Sequence, residues 1–173
     1  MDNLTDIQKS YGLTKDTNIY LICSEVCLAL GNGANNVADI FLYRITMAES
    51  GAGTIKDNTP NGAGAGIFQH DPEPFYDNQS RYEQKHISIC IKFLGIDPSF
   101  MKWEDLKTDI KKGAIATRLH FKPFKKAIPK DIIGQAQYWK RYYNTKAGKG
   151  TVKHFLEMNG FDMRKYCESM EVN

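Results

Sequence analysis

Apolar residues recur at helical spacing along most of the chain, and runs of turn-forming residues separate them. From about Asp16 to Leu30, the positions Ile19, Ile22, Cys23, Val26, Cys27 and Leu30 share one stripe, closed by Gly31, Asn32 and Gly33, which tolerate left-handed dihedrals. A second helix is expected to begin at Asn36, a competent N-cap, with Asp39 in its first turn, where a negative charge meets the helix dipole favourably. Val37, Ile40, Phe41, Ile45 and Ala48 make its inner stripe, joined by Leu42 and Met47. A helix this apolar is mostly buried. Glu49 directly follows Ala48, so it falls at or beside the apolar face rather than opposite it.

After Ser50 the pattern breaks into GAGTIKDNTPNGAGAG, a stretch whose glycines cost backbone entropy and favour a tightly shaped loop or short sheet region over an idle linker. Gly64 to Gln69 is the best short strand within it. Ser80 followed by Glu83 reads as a capping box, and Tyr82, His86, Ile89, Cys90 and Phe93 continue as a stripe that Gly95 closes. A further helix is expected from Trp103 to Leu119, carrying Leu106, Ile110, Ala114 and Thr117 inward. Pro123 and Pro129 bracket the basic turn KPFKKAIPK, and a helix over Ile132 to Tyr143 turns Ile132, Ile133, Ala136, Trp139 and Tyr143 inward. A short helix runs from about Thr151 to Met158. Residues 1–15 read as a loose arm or one short helix, and the last dozen residues as a partly packed tail. The expected fold class is α+β, mainly helical, in one domain over residues 1–173, with a small β-hairpin or short sheet region beside the helix that carries Glu49.

At 173 residues, with 42% hydrophobic and 25% charged, the chain can bury one full core. The formal charge of +3 suits an anionic polymer without demanding one. The opening residues hold no positive leader followed by an apolar run, and no segment has the roughly 18 apolar residues of a transmembrane helix, so neither unaided secretion nor stable membrane insertion is expected. Cys23 and Cys27 lie on the apolar stripe, where cysteine is a small buried hydrophobe. A disulfide using Cys90 or Cys167 is the alternative, and no metal site is expected.

Cleaving a glycosidic bond needs a proton for the leaving oxygen and something to stabilise or capture the oxocarbenium-like sugar. A glutamate at a helix end, set against apolar side chains, can have its pKa raised toward neutrality, as a general acid at working pH requires. Glu49 is the candidate catalytic residue.

Three ordered elements extend that reading. They are Glu49-Ser50; Gly62-Ala63-Gly64-Ala65-Gly66-Ile67-Phe68-Gln69; and Tyr142-Tyr143-Asn144-Thr145, followed by Gly148 and Gly150. Together they make residues 36–155 resemble the soluble-type lytic transglycosylases and goose-type lysozymes of the lysozyme-like superfamily. Those proteins carry Glu-Ser, then Gly-Ala-x-Gly-Leu-Met-Gln, then Tyr-Asn-x-Gly. This chain departs by an extra glycine-alanine step ahead of the second element and by a looser third element. The segments ATRLHFKPFKKAIP and YWKRYYNTKAGKGT also look like those of phage and prophage wall-degrading proteins.

The resemblance implies cleavage of the β-1,4 bond between N-acetylmuramic acid and N-acetylglucosamine of peptidoglycan, without a cofactor. It implies Glu49 as acid and then base. Ser50 would orient Glu49 or touch sugar, Gln69 would approach the acid's surroundings or a sugar hydroxyl, and Tyr143 with Asn144 would help position Glu49. In the one-carboxylate transglycosylase scheme, favoured here, the muramyl N-acetyl group attacks its own anomeric carbon and Glu49 draws in the 6-hydroxyl to give a 1,6-anhydro product. The alternative is a muramidase that uses a second carboxylate, Asp57 or Asp71. An inverting base would stand about 6.5–9.5 Å from the acid and a nucleophile about 5–5.5 Å.

A sugar groove would use aromatic faces, with Phe68, His70, Tyr76, Phe121, Tyr138 and Tyr142 in the right neighbourhoods. Lys122, Lys125, Lys126 and Lys130 make a basic patch that would attract the carboxylates of peptide stems. The expected partners are peptidoglycan strands and phage tail or other virion proteins. The expected setting is a virion, or release from the host cytoplasm at lysis, with action on the wall in the periplasm. The rivals are a non-catalytic virion structural or wall-binding protein of the same fold, and a nucleic-acid binder using YWKRYY. The balance of 23 basic and 20 acidic residues leaves no dominant basic stripe, so nucleic acid is not the expected partner.

Overall fold

The computed structural model describes residues 4–56, 64–145 and 148–162. Among them the chain forms eight α-helices: α1 (Asp6–Ser10), α2 (Ile19–Leu30), α3 (Ala38–Ser50), α4 (Pro72–Gln79), α5 (Gln84–Ile89), α6 (Ile110–His120), α7 (Ile132–Trp139) and α8 (Val152–Met158). π-helical turns extend α5 through Cys90–Leu94 and α7 through Lys140–Asn144, and 3₁₀ turns cover Pro98–Phe100 and Trp103–Lys107. The mainly helical class expected from the periodicity is therefore what the chain adopts.

Helix α2 forms where its stripe predicts, with Ile19, Cys23, Val26, Cys27 and Leu30 buried and the Asn18 side chain capping the Leu21 N–H at 3.0 Å. Two cations meet the negative end of its dipole. Arg118 donates through Nε and Nη2 to the Gly31 carbonyl at 2.9 and 2.7 Å, and Lys122 donates to the Leu30 carbonyl. Helix α2 packs against both α3 and α6, while α8 closes over α3 and α7. The core lies between these helices, around Phe41, Leu42, Ile45, Ile115, Trp139 and Phe155.

Several local expectations are corrected. Asn36 does not cap α3: its φ of 57° is left-handed, and the Asn32 side chain supplies the cap instead, accepting from the Asp39 N–H at 2.8 Å. Ser80 ends α4 rather than starting the next helix, because its hydroxyl bonds back to the Asp77 carbonyl at 2.8 Å, so the Ser80–Glu83 box is not made. The helix expected from Trp103 begins only at Ile110. The Asp109 carboxylate caps it there through the Lys112 N–H at 3.0 Å. Of the two readings of residues 1–15, the described part takes the short helix, α1 over Asp6–Ser10, and the Tyr11 hydroxyl after it donates to the Ile55 carbonyl at 3.1 Å. Helix α4 had no sequence expectation.

The β-hairpin or short sheet is absent among the described residues. Its place is taken by a turn from Gly64 to His70, closed by one isolated antiparallel bridge between Ala65 and His70. Gly66 at φ 66° and Gln69 at φ 53° reverse the chain too tightly for a second pair of bridging residues. The turn also lies hard against the Trp103–Lys107 segment: a Cβ on Gly66 would stand 2.0 Å from the Leu106 carbonyl oxygen. Cys23, Cys27 and Cys90 are buried free thiols, so no disulfide joins them, while Cys167 lies outside the described residues. Among the described residues no helix is long and apolar enough to cross a membrane.

Candidate active site

Helix α3 carries Glu49 in its last turn, where the side chain is half-buried. The Trp139 indole Nε1 donates to Glu49 Oε1 at 2.9 Å. Desolvation by the surrounding side chains raises the carboxyl's pKa to about 7. The Trp139 hydrogen bond pulls it down and the negative charge of Asp71 pushes it up. At neutral pH the group thus divides between acid and carboxylate, as a proton donor that must later accept a proton requires.

Tyr143 comes to the same place from the π-helical turn after α7. Its hydroxyl donates to the Phe68 carbonyl at 2.7 Å, which ties that turn to the 64–70 loop. Burial first, and Glu49's charge second, hold its pKa well above the ordinary tyrosine value. The phenol therefore stays neutral beside the acid. Asp71 is exposed at the start of α4, and its charge registers at both Glu49 and Tyr143. Asp57, the other proposed second carboxylate, lies outside the described residues.

Ser50 is buried and structural. Its hydroxyl donates to the Ile67 carbonyl at 2.8 Å and accepts from the Gly53 N–H at 3.0 Å, fastening the end of α3 to the turn opposite. Gln69 likewise works within the turn, its amide donating to the Gly66 carbonyl at 2.8 Å and to the Tyr11 hydroxyl at 3.4 Å. Asn144 accepts from Lys140 Nζ at 2.8 Å, and the same ammonium reaches the Gly148 carbonyl at 2.9 Å. These residues support the site by fixing its backbone.

His70 does not line a groove. Its Nε2 lies 2.9 Å from Thr117 Oγ1 on α6, whose hydroxyl also stands 2.9 Å from the Gly113 carbonyl. Burial pulls the His70 pKa down to about 3. The Trp103 indole donates to the His70 carbonyl at 2.6 Å. Phe68 and Tyr138 are core residues at 1% and 3% exposure, as is Phe121, so these three rings pack inside and offer no face to a sugar. Tyr76, 46% exposed, and the partly buried Tyr142 are the aromatic candidates with open surface. Lys122 leaves the basic patch to cap α2, while Lys125, Lys126 and Lys130 remain exposed.

The residue that sequence reasoning missed is Trp139. Its place in the inner stripe marks it as core, which it is, but a buried indole N–H needs an acceptor, and that requirement is the available signal. Among the described residues no three His, Cys, Asp or Glu side chains gather as a metal site would need. No protein family, curated protein or solved structure matches the chain. The reading of function therefore rests on the site: a desolvated carboxyl, a fixed indole donor, a neutral phenol and a nearby exposed carboxylate.

Proposed function

We propose that the chain cleaves the β-1,4 bond between N-acetylmuramic acid and N-acetylglucosamine in peptidoglycan, with Glu49 as the acid. The observation that carries this is the Glu49 carboxyl, half-buried at the end of α3 with its pKa raised to about 7. Glu49 first protonates the leaving glycosidic oxygen. The muramyl N-acetyl oxygen closes on the anomeric carbon, and the resulting carboxylate then removes the proton of the 6-hydroxyl as that oxygen displaces the acetamido group. The product carries a 1,6-anhydro ring. This reading assigns a lysozyme-like arrangement to the helices around α3, with the 64–70 turn standing where a small sheet was expected. Action on the wall would belong to a phage lysis or virion enzyme, whose partners are glycan strands and virion proteins.

Hydrolysis is a second reading, favoured by Asp71. Its charge acts on Glu49, as that of a water-activating base across a cleft would. Mass spectrometry of peptidoglycan digested with the wild type and with Glu49→Gln separates the cases. Anhydromuropeptides that vanish in Glu49→Gln support the transglycosylase, whereas reducing-end products that also vanish in Asp71→Asn support the muramidase. If the wild type releases no fragments across pH and wall types, the catalytic reading fails and a binding or structural role replaces it.

A further inference from the structure

One residue outside the three sequence elements, Trp139, hydrogen-bonds the carboxyl of Glu49 directly. Only one of its oxygens, Oε1, receives the Trp139 indole N–H, at 2.9 Å. An oxygen that accepts this bond is the poorer site for the acid's proton, because a proton there would compete with the indole for the same lone pairs.

The indole is held from several sides. Its own exposure is 1%, and the Phe155 ring of α8 packs against it at a centroid distance of 5.3 Å. Lys140 Nζ clips both Asn144 and the Gly148 carbonyl, and Gly150 lies so close to the indole that a Cβ there would stand 2.5 Å from Trp139 Cη2. Helix α8 also steadies the partner, since His154 Nε2 donates to the Ala48 carbonyl at 2.8 Å, one residue before Glu49. Donor and acceptor are therefore clamped to the same short helix.

We infer that Trp139 is a positioning residue of the site: its N–H fixes Oε1 of Glu49, so that Oε2 carries the reacting proton toward the glycosidic oxygen. The assignment of a reacting proton rests on the glycosidase reading, but the pairing itself can be tested without activity. The charge that bears on Glu49 is that of Asp71, before α4, and the charge of Glu49 in turn bears on the neutral Tyr143, on the turn after α7. Arg44 lies on α3 itself, with its guanidinium donating to Gln135 on α7 at 2.8 Å.

The experiment follows the Glu49 side-chain ¹³C resonance and the Trp139 indole ¹⁵N–H resonance from pH 5 to 9, in the wild type, Glu49→Gln and Trp139→Phe. In the wild type both resonances should move with one midpoint, and the indole of Glu49→Gln should lose that transition. Trp139→Phe keeps most of the packing and removes the donor. Its Glu49 midpoint should rise by about one pH unit, the scale expected for losing a hydrogen bond to a charged group. Its turnover of peptidoglycan should fall roughly tenfold to a hundredfold, with the alkaline limb of the pH profile displaced in the same direction. An unchanged Glu49 midpoint in Trp139→Phe, or a wild-type indole indifferent to the carboxyl, overturns the inference. If Trp139→Phe does not fold, the indole comparison between the wild type and Glu49→Gln decides alone. A wild type that releases no muropeptide, while the indole still tracks the carboxyl, overturns the glycosidase reading and leaves only the pairing.

Discussion

Under the proposed function, Glu49 would tie activity to stability through one side chain. A general acid must hold its proton, so the rate of wall cleavage should fall as pH rises through about 7, the value to which burial raises this group. Stability carries the same sign. The carboxyl titrates near 4.5 when unperturbed and near 7 in the folded chain, so its contribution is fully present below 4.5 and is lost as pH rises through 7. Glu49→Gln should therefore be inactive yet more stable than the wild type at pH 8, by on the order of 2 kcal/mol, with little difference at pH 5. Urea midpoints of the two proteins at the two pH values check this, and a Gln variant that is less stable at pH 8 would contradict the buried placement. His70 acts oppositely. Its folded value, about 3, lies below the ordinary 6.5, so its contribution is present above 6.5 and is lost as pH falls. Comparing wild type with the Gln variant at each pH cancels that background.

At the scale of elements, the site depends on a turn rather than a sheet. The 64–70 turn receives hydrogen bonds from Ser50 on α3 and Tyr143 after α7, and the Trp103 indole joins it to the 3₁₀ segment. Its fit against that segment leaves no volume at Gly66. Gly66→Ala combines a positive φ with a Cβ 2.0 Å from the Leu106 oxygen, a backbone atom that no rotamer change can move aside. We expect a loss of roughly 3 kcal/mol or more and a comparable collapse of activity, since the Ser50 and Tyr143 anchors shift together. Thermal melting and wall digestion of Gly66→Ala check it, and a melting temperature within a degree of the wild type would show that the turn is not held as described. The π-helical extension of α7 belongs to the same design. Such a turn changes the angular register of the residues it carries, here Tyr142, Tyr143 and Asn144.

Over the whole molecule, stability comes from helix packing without a crosslink among the described thiols. Burial raises the pKa of Cys27 and Cys90 to about 12 and about 11, and that of Cys23 higher still, so these thiols are both shielded and un-ionised. Intact-mass analysis after maleimide treatment should find Cys23, Cys27 and Cys90 unmodified in the native protein and labelled in denaturant. Native labelling at any of them would place a thiol outside the core. Much of this architecture was legible in the chain, because the stripes of α2, α3 and α7 are local repeats and each needs only one apolar neighbour to form. Glu49 was legible for the same reason: its place follows from counting along α3. Its chemistry was not, since the raised pKa comes from burial among side chains that the fold gathers, with the charge of Asp71 adding to it and the hydrogen bond from Trp139, ninety positions away, opposing it. The caps that failed, Asn36 and Ser80, were sound by residue type, but the Asn32 side chain and the Asp77 carbonyl, each within seven residues, make the hydrogen bonds instead. Aromatic residues deceived in the same way: Phe68 and Tyr138 have the composition of a sugar platform, and only packing showed that they lie inside. The sequence by itself determined the apolar stripes of α2, α3 and α7 and the position of the acid, because these follow from spacing along the chain. The tertiary structure decided which groups surround that acid and which side chains meet solvent, because desolvation, hydrogen bonding and charge act through space between residues that the sequence keeps apart.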